Sequence, residues 1–240
     1  METGQRKFGK TLLPTKNYMQ VALIEIMLIF SVLLMGDIAA ALGSSSTGSA
    51  VSMALLIPEA VYVYILFRLT TLLTDNRVMQ RIVAVLLVVA AILSVVGLLP
   101  LMSGDESKSQ VLIAVHLILC FIECYLIALG LQDIYIDKLA LRERLWGSVA
   151  MYLLIAIGWA SFYEIFLLTD HTLFGVELIP GYQTYSEALY YSLCSLSGTG
   201  SIYSNPNHLI RNLSLIESVW GVLFLVMLIG RVFTVSDKEE

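Results

Sequence analysis

Residues 186–206 decide the fold of this chain and read SEALYYSLCSLSGTGSIYSNP. The first part, residues 186–196, is mostly apolar, but it is too short to cross a bilayer, because a spanning helix needs about 20 residues that rise about 1.5 Å each. A short apolar helix between two long apolar segments is a candidate re-entrant helix. Its polar backbone must be satisfied by protein or water at membrane depth. The expected setting of these residues is a pore.

Six longer apolar segments surround this stretch, and each is long enough to span a membrane. They cover residues 18–42, 51–73, 82–102, 110–131, 145–168 and 213–235. The sequence is 58% hydrophobic and 14% charged, whereas soluble domains have about 45–50% apolar and about 25% charged residues. We therefore predict an all-α integral membrane protein with six transmembrane helices and a re-entrant pore helix between the fifth and the sixth.

Three polar segments separate the predicted spans. They are a Gly/Ser-rich turn at 43–49, an acidic loop at 103–109 and a polar connector at 132–144. Lysine and arginine are retained on the cytoplasmic side of membrane proteins. If the N-terminus is inside, 12 of the 14 basic residues lie on that side, and Lys108 and Arg211 lie outside. This distribution predicts a multi-pass protein of the cell membrane with both termini in the cytoplasm.

Residues 186–206 resemble the pore loop of the potassium-channel superfamily, in which a short helix leads into a TVGYGD-type filter. Residues 210–232, IRNLSLIESVWGVLFLVMLIGRV, are similar to the lining helix of bacterial two-transmembrane pore modules, with an early acidic residue and a glycine four positions later. The resemblance implies a homotetramer that conducts monovalent cations, with potassium favoured and K⁺ bound in the filter.

The resemblance also implies a division of the chain. Residues 1–17 would be a cytoplasmic segment, 18–144 a four-helix membrane domain of unassigned role, 145–235 the pore module and 236–240 a cytoplasmic tail. One re-entrant loop supplies one wall of a filter lined by carbonyl groups, and this geometry also favours a tetramer.

Gly198 and Gly200 supply glycines at alternate positions. Such spacing allows left-handed dihedral angles that direct successive carbonyl groups along one axis, where they replace the hydration shell of a cation. Aligned through these glycines, five residues fall on the family's V-G-Y-G-D positions and are the predicted ion-binding residues: Ser197, Gly198, Thr199, Gly200 and Ser201.

Three positions depart from the family pattern. Thr199 stands in place of an aromatic residue, Ser201 in place of an aspartate and Leu196 in place of a threonine. A second alignment, anchored on the pore helix, pairs residues 195–197 with the family's T-L-T stretch and needs a two-residue gap. Both alignments stay open, and an ordinary extracellular loop with a short surface helix is the structural alternative.

Supporting roles are predicted for residues around the loop. Glu217 matches the early acidic residue of the similar helix and could brace the loop through Ser195 or through the Gly-rich backbone. Gly221 and Gly230 would be gating hinges by the same resemblance. A glycine in a membrane helix can equally be a close-packing contact.

Several ionisable residues lie inside the predicted spans, where each costs about 2.5–3.5 kcal/mol on insertion scales. They are Glu25, Asp37, Glu59, His116, Glu123 and Glu164. Two interpretations are open. They form hydrogen bonds between helices, with Tyr62, Tyr64 and Tyr125 as available donors, or Glu25 and Glu123 lie on a path for protons or ions.

Other functional classes find little support. The net charge of −5 and the dispersed basic residues disfavour a nucleic-acid partner. Residues 110–131 contain no lysine or arginine, which argues against gating by a charged fourth helix. Any gate is then expected in the membrane, in the connector 132–144 or in an unidentified partner protein.

No catalytic or metal-binding residue is predicted. The sequence has no HExxH, GxSxG or P-loop motif, and its three histidines form no i, i+4 pair. Cys120, Cys124 and Cys194 are interpreted as reduced packing residues. A secondary transporter and a non-conducting scaffold with a pore-like loop are the main alternatives to a channel, and an intramembrane Ser/Asp hydrolase is the remaining enzyme class.

Overall fold

A computed structural model describes residues 17–42, 48–98, 105–136, 140–176, 178, 182–200, 203 and 205–236. These residues form seven α-helices, and the described part of the chain contains no β-strand. The helices are α1 (Tyr18–Leu42), α2 (Gly48–Leu73), α3 (Arg77–Leu98), α4 (Asp105–Ile136), α5 (Leu141–Thr169), α6 (Tyr182–Ser197) and α7 (His208–Ser236). The predicted all-α class is confirmed.

Four of the helices have the length and apolar composition needed to cross a membrane. The spanning segments are Arg77–Gly97, Ser107–Tyr135, Leu141–Thr169 and His208–Leu228. In α1 the described side chains form a shorter apolar segment, Tyr18–Leu34. The side chains of residues 35–42 and 48–57, which include Asp37, lie outside the described part of the chain. The composition of the four segments is that of a helical membrane protein.

Two of the predicted loops are shorter than expected because α4 extends at both ends. It begins at Asp105, so residues 105–109 of the predicted acidic loop are helical. Acidic residues at the start of a sequence segment favour a helix N-terminus, where unpaired N–H groups carry partial positive charge. At the other end, α4 continues to Ile136, and the Tyr18 hydroxyl donates a hydrogen bond to the buried carboxylate of Asp133. The expected connector 132–144 is therefore helical over much of its length.

The central helix of the bundle is α5. In its apolar segment 61% of residues are buried, against 22% in those of α3 and α7. α5 contacts α1, α4, α6 and α7. Its glycines let neighbours approach closely, since a methyl group at Gly147 would lie 3.3 Å from the Tyr18 ring and one at Gly158 would lie 3.5 Å from the Glu123 carboxylate. Close packing and interhelical hydrogen bonds hold helices together in lipid, which offers no hydrophobic driving force between them.

The short helix α6 lies inside this bundle, where it contacts α1, α5 and α7. Its 16 residues rise about 24 Å at about 1.5 Å each. α7 packs on it at Gly221, where an added methyl group would collide with the carbonyl oxygen of Leu196. The close-packing interpretation of Gly221 is thus confirmed. Its role as a gating hinge, and that of Gly230, stay predictions.

Most of the circumference of α7 is uncovered in a single chain. Its buried face contains Ile210, Glu217, Gly221 and Phe224. The exposed apolar side chains are Leu209, Leu215, Ile216, Val219, Trp220, Val222, Leu223, Leu225, Val226 and Met227. An apolar surface of this extent is suited to lipid or to another protein surface.

Replacing Gly221 by alanine should lower the thermal stability of the protein in detergent. Overpacking against the Leu196 carbonyl should cost about 1–3 kcal/mol, more than the gain in helix propensity of up to about 1 kcal/mol. Gly97→Ala on α3 is the matched control, because the added methyl group would make ordinary contact with Val111 at 3.6 Å and should leave stability equal or slightly higher. Circular dichroism during heating measures both. Equal stabilisation by the two substitutions would contradict the close α6–α7 contact.

Candidate functional site: the turn after α6

The C-terminus of α6 ends in a hydrogen-bonded cap. Gly198 has φ +70°. Its N–H donates to the carbonyl oxygen of Ser195 at 3.1 Å, and the N–H of Thr199 donates to that of Cys194 at 3.1 Å. These two bonds define a Schellman motif, which places a left-handed residue directly after the helix. The cap by itself accounts for the backbone conformation of Gly198.

Gly200 continues the left-handed alternation beyond the cap, with φ +83°. Neither of the two cap bonds involves it. A residue with a side chain would be destabilised there by about 1–2 kcal/mol. The left-handed dihedral angles predicted for Gly198 and Gly200 are therefore confirmed, whereas binding of ions by these residues stays a prediction. Ser201, the fifth predicted ligand, lies outside the described residues.

The turn contains peptide oxygens without a hydrogen-bond donor among the described residues. Among the described residues, no donor reaches the carbonyl oxygens of residues 197–200. These four residues are exposed, although Ser192 and Leu196 just before them are buried. Carbonyl groups without a partner in the protein are satisfied by water or by a ligand. The negative end of the α6 dipole lies at the same place and favours a cation.

Hydroxyl groups add to the oxygen content of the turn. The Oγ of Ser197 donates to the carbonyl oxygen of Leu193 at 2.7 Å and lies 3.0 Å from the Oγ1 of Thr199. Both side chains lie at the exposed tip of α6. The turn therefore combines peptide oxygens with two neighbouring hydroxyl oxygens, which are the ligand types that hard cations prefer.

Behind the turn, the buried carboxyl group of Glu217 joins α5, α6 and α7. Tyr163 donates to its Oε2 at 2.8 Å, and the Oγ of Ser192 lies 2.5 Å from its Oε1. The same Ser192 hydroxyl is 2.7 Å from the carbonyl oxygen of Ala156. A hydroxyl has one proton to donate. Both Ser192 contacts are satisfied together when Glu217 is protonated and donates to Ser192, which then donates to Ala156.

The predicted partner of Glu217 was wrong. The sequence pairs Glu217 with Ser195 or the Gly-rich backbone, whereas the observed partner on α6 is Ser192. Ser192 is fully buried, and Ser195 lies about 4.5 Å farther along the helix axis. The carboxyl group thus supports the body of α6 and not the turn itself.

An aromatic cluster packs beside this brace and consists of Tyr163, Phe174, Tyr191 and Tyr203. The ring of Phe174 lies 4.6 Å from that of Tyr191 and 4.9 Å from that of Tyr203, and the rings of Tyr163 and Tyr191 are 5.2 Å apart. The Tyr203 hydroxyl donates to Glu187 at 2.6 Å. Burial and this hydrogen bond raise the pKa of Tyr203, so that it stays a neutral donor. The segment that leaves the turn is thereby attached to α6.

The backbone segments before α6 and after the turn are also joined. The N–H of Asn207 donates to the carbonyl oxygen of Leu173 at 2.8 Å. Gly175 has φ +80°, and a methyl group on it would lie 2.5 Å from the carbonyl oxygen of Asn205. Thr172 donates twice to Asp170, which lowers the pKa of that carboxyl group. The turn after α6 is therefore anchored on both of its flanks.

Comparison of the chain with family models, with curated proteins and with solved structures found no match.

The supporting residues Ser192, Tyr163 and Phe174 were not predicted from the sequence. Glu217 lies 25 residues from Ser192 and 54 from Tyr163, and no local pattern indicates partners at such separations. The sequence shows that residues 182–203 are rich in tyrosine, but it does not show how the rings pack against one another.

Replacing Ser192 by alanine should destabilise the protein by about 1–3 kcal/mol, because buried polar groups on Glu217 and Ala156 lose their hydroxyl partner. Ser195→Ala is the matched control, since its side chain makes no hydrogen bond to any described residue and its replacement should change stability by no more than about 0.5 kcal/mol. Thermal unfolding in detergent compares the two variants. A larger loss of stability in Ser195→Ala than in Ser192→Ala would instead support Ser195 as the partner of Glu217, as the sequence predicted.

Proposed function

We propose that the chain is one subunit of a homotetrameric channel that conducts monovalent cations, with potassium favoured. The observation that carries this proposal is the turn of residues 197–200 at the end of an otherwise enclosed helix, whose residues are exposed and whose carbonyl oxygens accept no hydrogen bond from the described residues. Such oxygens can replace the hydration shell of a cation in a filter. The negative end of the α6 dipole supports the same sign of charge.

In this proposal α6 is a re-entrant pore helix, and α1 to α5 and α7 are the six transmembrane helices. The enclosure of α6 between α1, α5 and α7 supports the re-entrant position. The distribution of the basic residues along the sequence supports cytoplasmic termini and a location in the cell membrane. Residues 145–235 then form the pore module.

Assembly into a tetramer is supported by the parts of the surface that one chain leaves uncovered. A single turn offers one set of oxygens, and a cation needs oxygens on all sides. Closed rotational symmetry would bring four copies of the turn together around one axis. The exposed apolar surface of α7 would then be shared between neighbouring subunits and lipid.

The residues at the site take distinct roles. Ser197, Gly198, Thr199, Gly200 and Ser201 would bind the ion through backbone oxygens, with hydroxyl groups contributing. Glu217 holds α6 against α5 and α7 through Ser192 and Tyr163. The Schellman cap explains the left-handed conformation of Gly198 without an ion. Gly200 lies outside the cap, so substitution of Gly200 is the stronger test of the proposed filter.

Replacing Gly200 by alanine should reduce potassium flux about tenfold or more, because each of four subunits would be strained by about 1–2 kcal/mol in the left-handed conformation. Gly97→Ala on α3 is the matched control, since its methyl group would make ordinary contact with Val111 at 3.6 Å. The measurement is ion flux through purified full-length protein in liposomes, with the subunit number of each variant determined beside it.

The same assay separates the alternatives. A channel passes ions down their gradient without saturation in the working range, a secondary transporter saturates and couples two solutes, and a scaffold does neither. Wild-type protein that passes no monovalent cation, or undiminished flux through intact Gly200→Ala protein, would overturn the proposed filter.

A further inference from the structure

A second polar cluster lies inside the helical bundle, separate from the Glu217 brace. It contains residues from each of the first six helices, α1 through α6, and we call it the membrane cluster. Its members are Glu25, Glu59, Tyr62, Ser94, His116, Glu123, Ser161, Glu164, Thr184 and Tyr185. The sequence identified its acidic residues and its histidine separately, and the fold brings them together.

The centre of the cluster is the pair formed by His116 of α4 and Glu164 of α5. The Nε2 of His116 lies 2.9 Å from the Oε2 of Glu164. The other oxygen of Glu164 accepts a hydrogen bond from the Thr184 hydroxyl of α6 at 3.2 Å. The imidazole ring also stacks on Tyr185 of α6, with centroids 5.6 Å apart. One histidine and one carboxylate are therefore in direct contact with the first turn of the proposed pore helix.

The second part of the cluster is the carboxyl group of Glu123, which is fully buried. Its Oε1 accepts hydrogen bonds from Tyr62 and, at 3.1 Å, from Ser161, so the predicted tyrosine donor is confirmed. Its Oε2 has no hydrogen-bond partner among the described residues. Glu25 is also fully buried, and neither of its oxygens has a partner in the described part of the chain. It interacts electrostatically with Tyr62, on the Glu123 side of the cluster.

The charges of this cluster do not balance unless some carboxyl groups carry protons. Four carboxyl groups, those of Glu25, Glu59, Glu123 and Glu164, share His116 as the one basic side chain that the structure describes there. A protonated His116 neutralises one carboxylate. An unpaired buried carboxylate costs several kcal/mol, so the fully buried carboxyl groups of Glu25 and Glu123 are stable in the protonated form.

The ligand that fits this cluster is a proton. In the described residues, no group of three or more His, Cys, Asp or Glu side chains is arranged to hold a metal ion. Buried acceptors without a donor, on Glu25 and Glu123, are satisfied when the carboxyl groups carry protons of their own. The cluster also contains the titratable side chains of Tyr62 and Tyr185, and Cys120 faces it from α4 next to Glu123.

We propose that the membrane cluster is a proton-binding site whose occupancy controls how α6 is held. When His116 is protonated, it pairs with Glu164, and Glu164 accepts from Thr184. Loss of this proton to water leaves Glu164 as a buried carboxylate without a charged partner among the described residues, which is costly and changes how firmly α6 is held through Thr184. The response of α6 is therefore expected at the pH at which His116 gains or loses its proton. Proton binding is independent of the proposed channel function, and only an effect on ion flux rests on it.

The first test measures proton binding in full-length protein in lipid nanodiscs. The infrared carbonyl band of protonated carboxyl groups should change with pH in wild-type protein and lose a component in Glu123→Gln and in Glu25→Gln. A band that is the same at all pH values and in both variants would overturn the proposal. Helix content by circular dichroism establishes that each variant is folded, and Glu25→Gln removes no hydrogen bond that the described residues show.

The second test measures how α6 responds. Hydrogen exchange of a peptide covering α6 (Tyr182–Ser197) should change with pH by about fivefold or more relative to a peptide from α3 (Arg77–Leu98), which corrects for the intrinsic effect of pH. His116→Gln should abolish this ratio change. His208→Gln is the matched control, because this histidine is exposed at the start of α7 and outside the cluster.

The outcomes distinguish the two proposals. Control of α6 by the cluster would be overturned if the ratio of α6 to α3 hydrogen exchange changed with pH equally in wild type and in folded His116→Gln. It would also be overturned if His208→Gln removed the pH-dependent change. Should His116→Gln not fold, Glu164→Gln takes its place in the same experiment. A protein without ion flux that still shows the His116-dependent change in α6 would overturn the channel and support the proton site.

Discussion

The structure depends on hydrogen bonds between polar side chains that are buried among membrane helices. In hydrocarbon, apolar side chains gain little by leaving lipid for protein, and polar groups without a partner are costly. The carboxyl groups of Glu123, Glu164 and Glu217 form hydrogen bonds with three different pairs of helices, and the central helix α5 takes part in each set through Ser161, Glu164 itself or Tyr163. These bonds fix the rotation of the helices that surround α5.

These buried hydrogen bonds constrain α6 most, because α6 is bonded to neighbouring helices at several positions along its length. Thr184 in its first turn is bonded to Glu164, and Ser192 further along is bonded to Glu217. Its last turn is closed by the glycine cap and contacts Gly221 of α7. A short helix that is fixed in this way holds its terminal turn in a defined position relative to α5 and α7.

The glycines at the end of α6 and on α7 have two different structural roles. Gly198 and Gly200 have left-handed dihedral angles, and no atom lies within 4 Å of a methyl group placed on either of them. Gly221 is helical, and the space for a side chain is taken by the Leu196 carbonyl. The first two positions therefore concern the direction of the backbone at an exposed turn, whereas the third concerns the distance between two helices.

The sequence by itself determined the helical class, the positions of the six long apolar segments and the short segment between the last two, because length and apolar composition are local properties of the chain. It also indicated the left-handed glycines at 198 and 200, since few other residues tolerate that conformation. The ends of α4, the pairing of Glu217 with Ser192 and the convergence of Glu25, His116, Glu123 and Glu164 were decided only by the tertiary structure. Those features depend on how helices far apart in sequence rotate and approach one another, and hydropathy along the chain carries no information about rotation or approach.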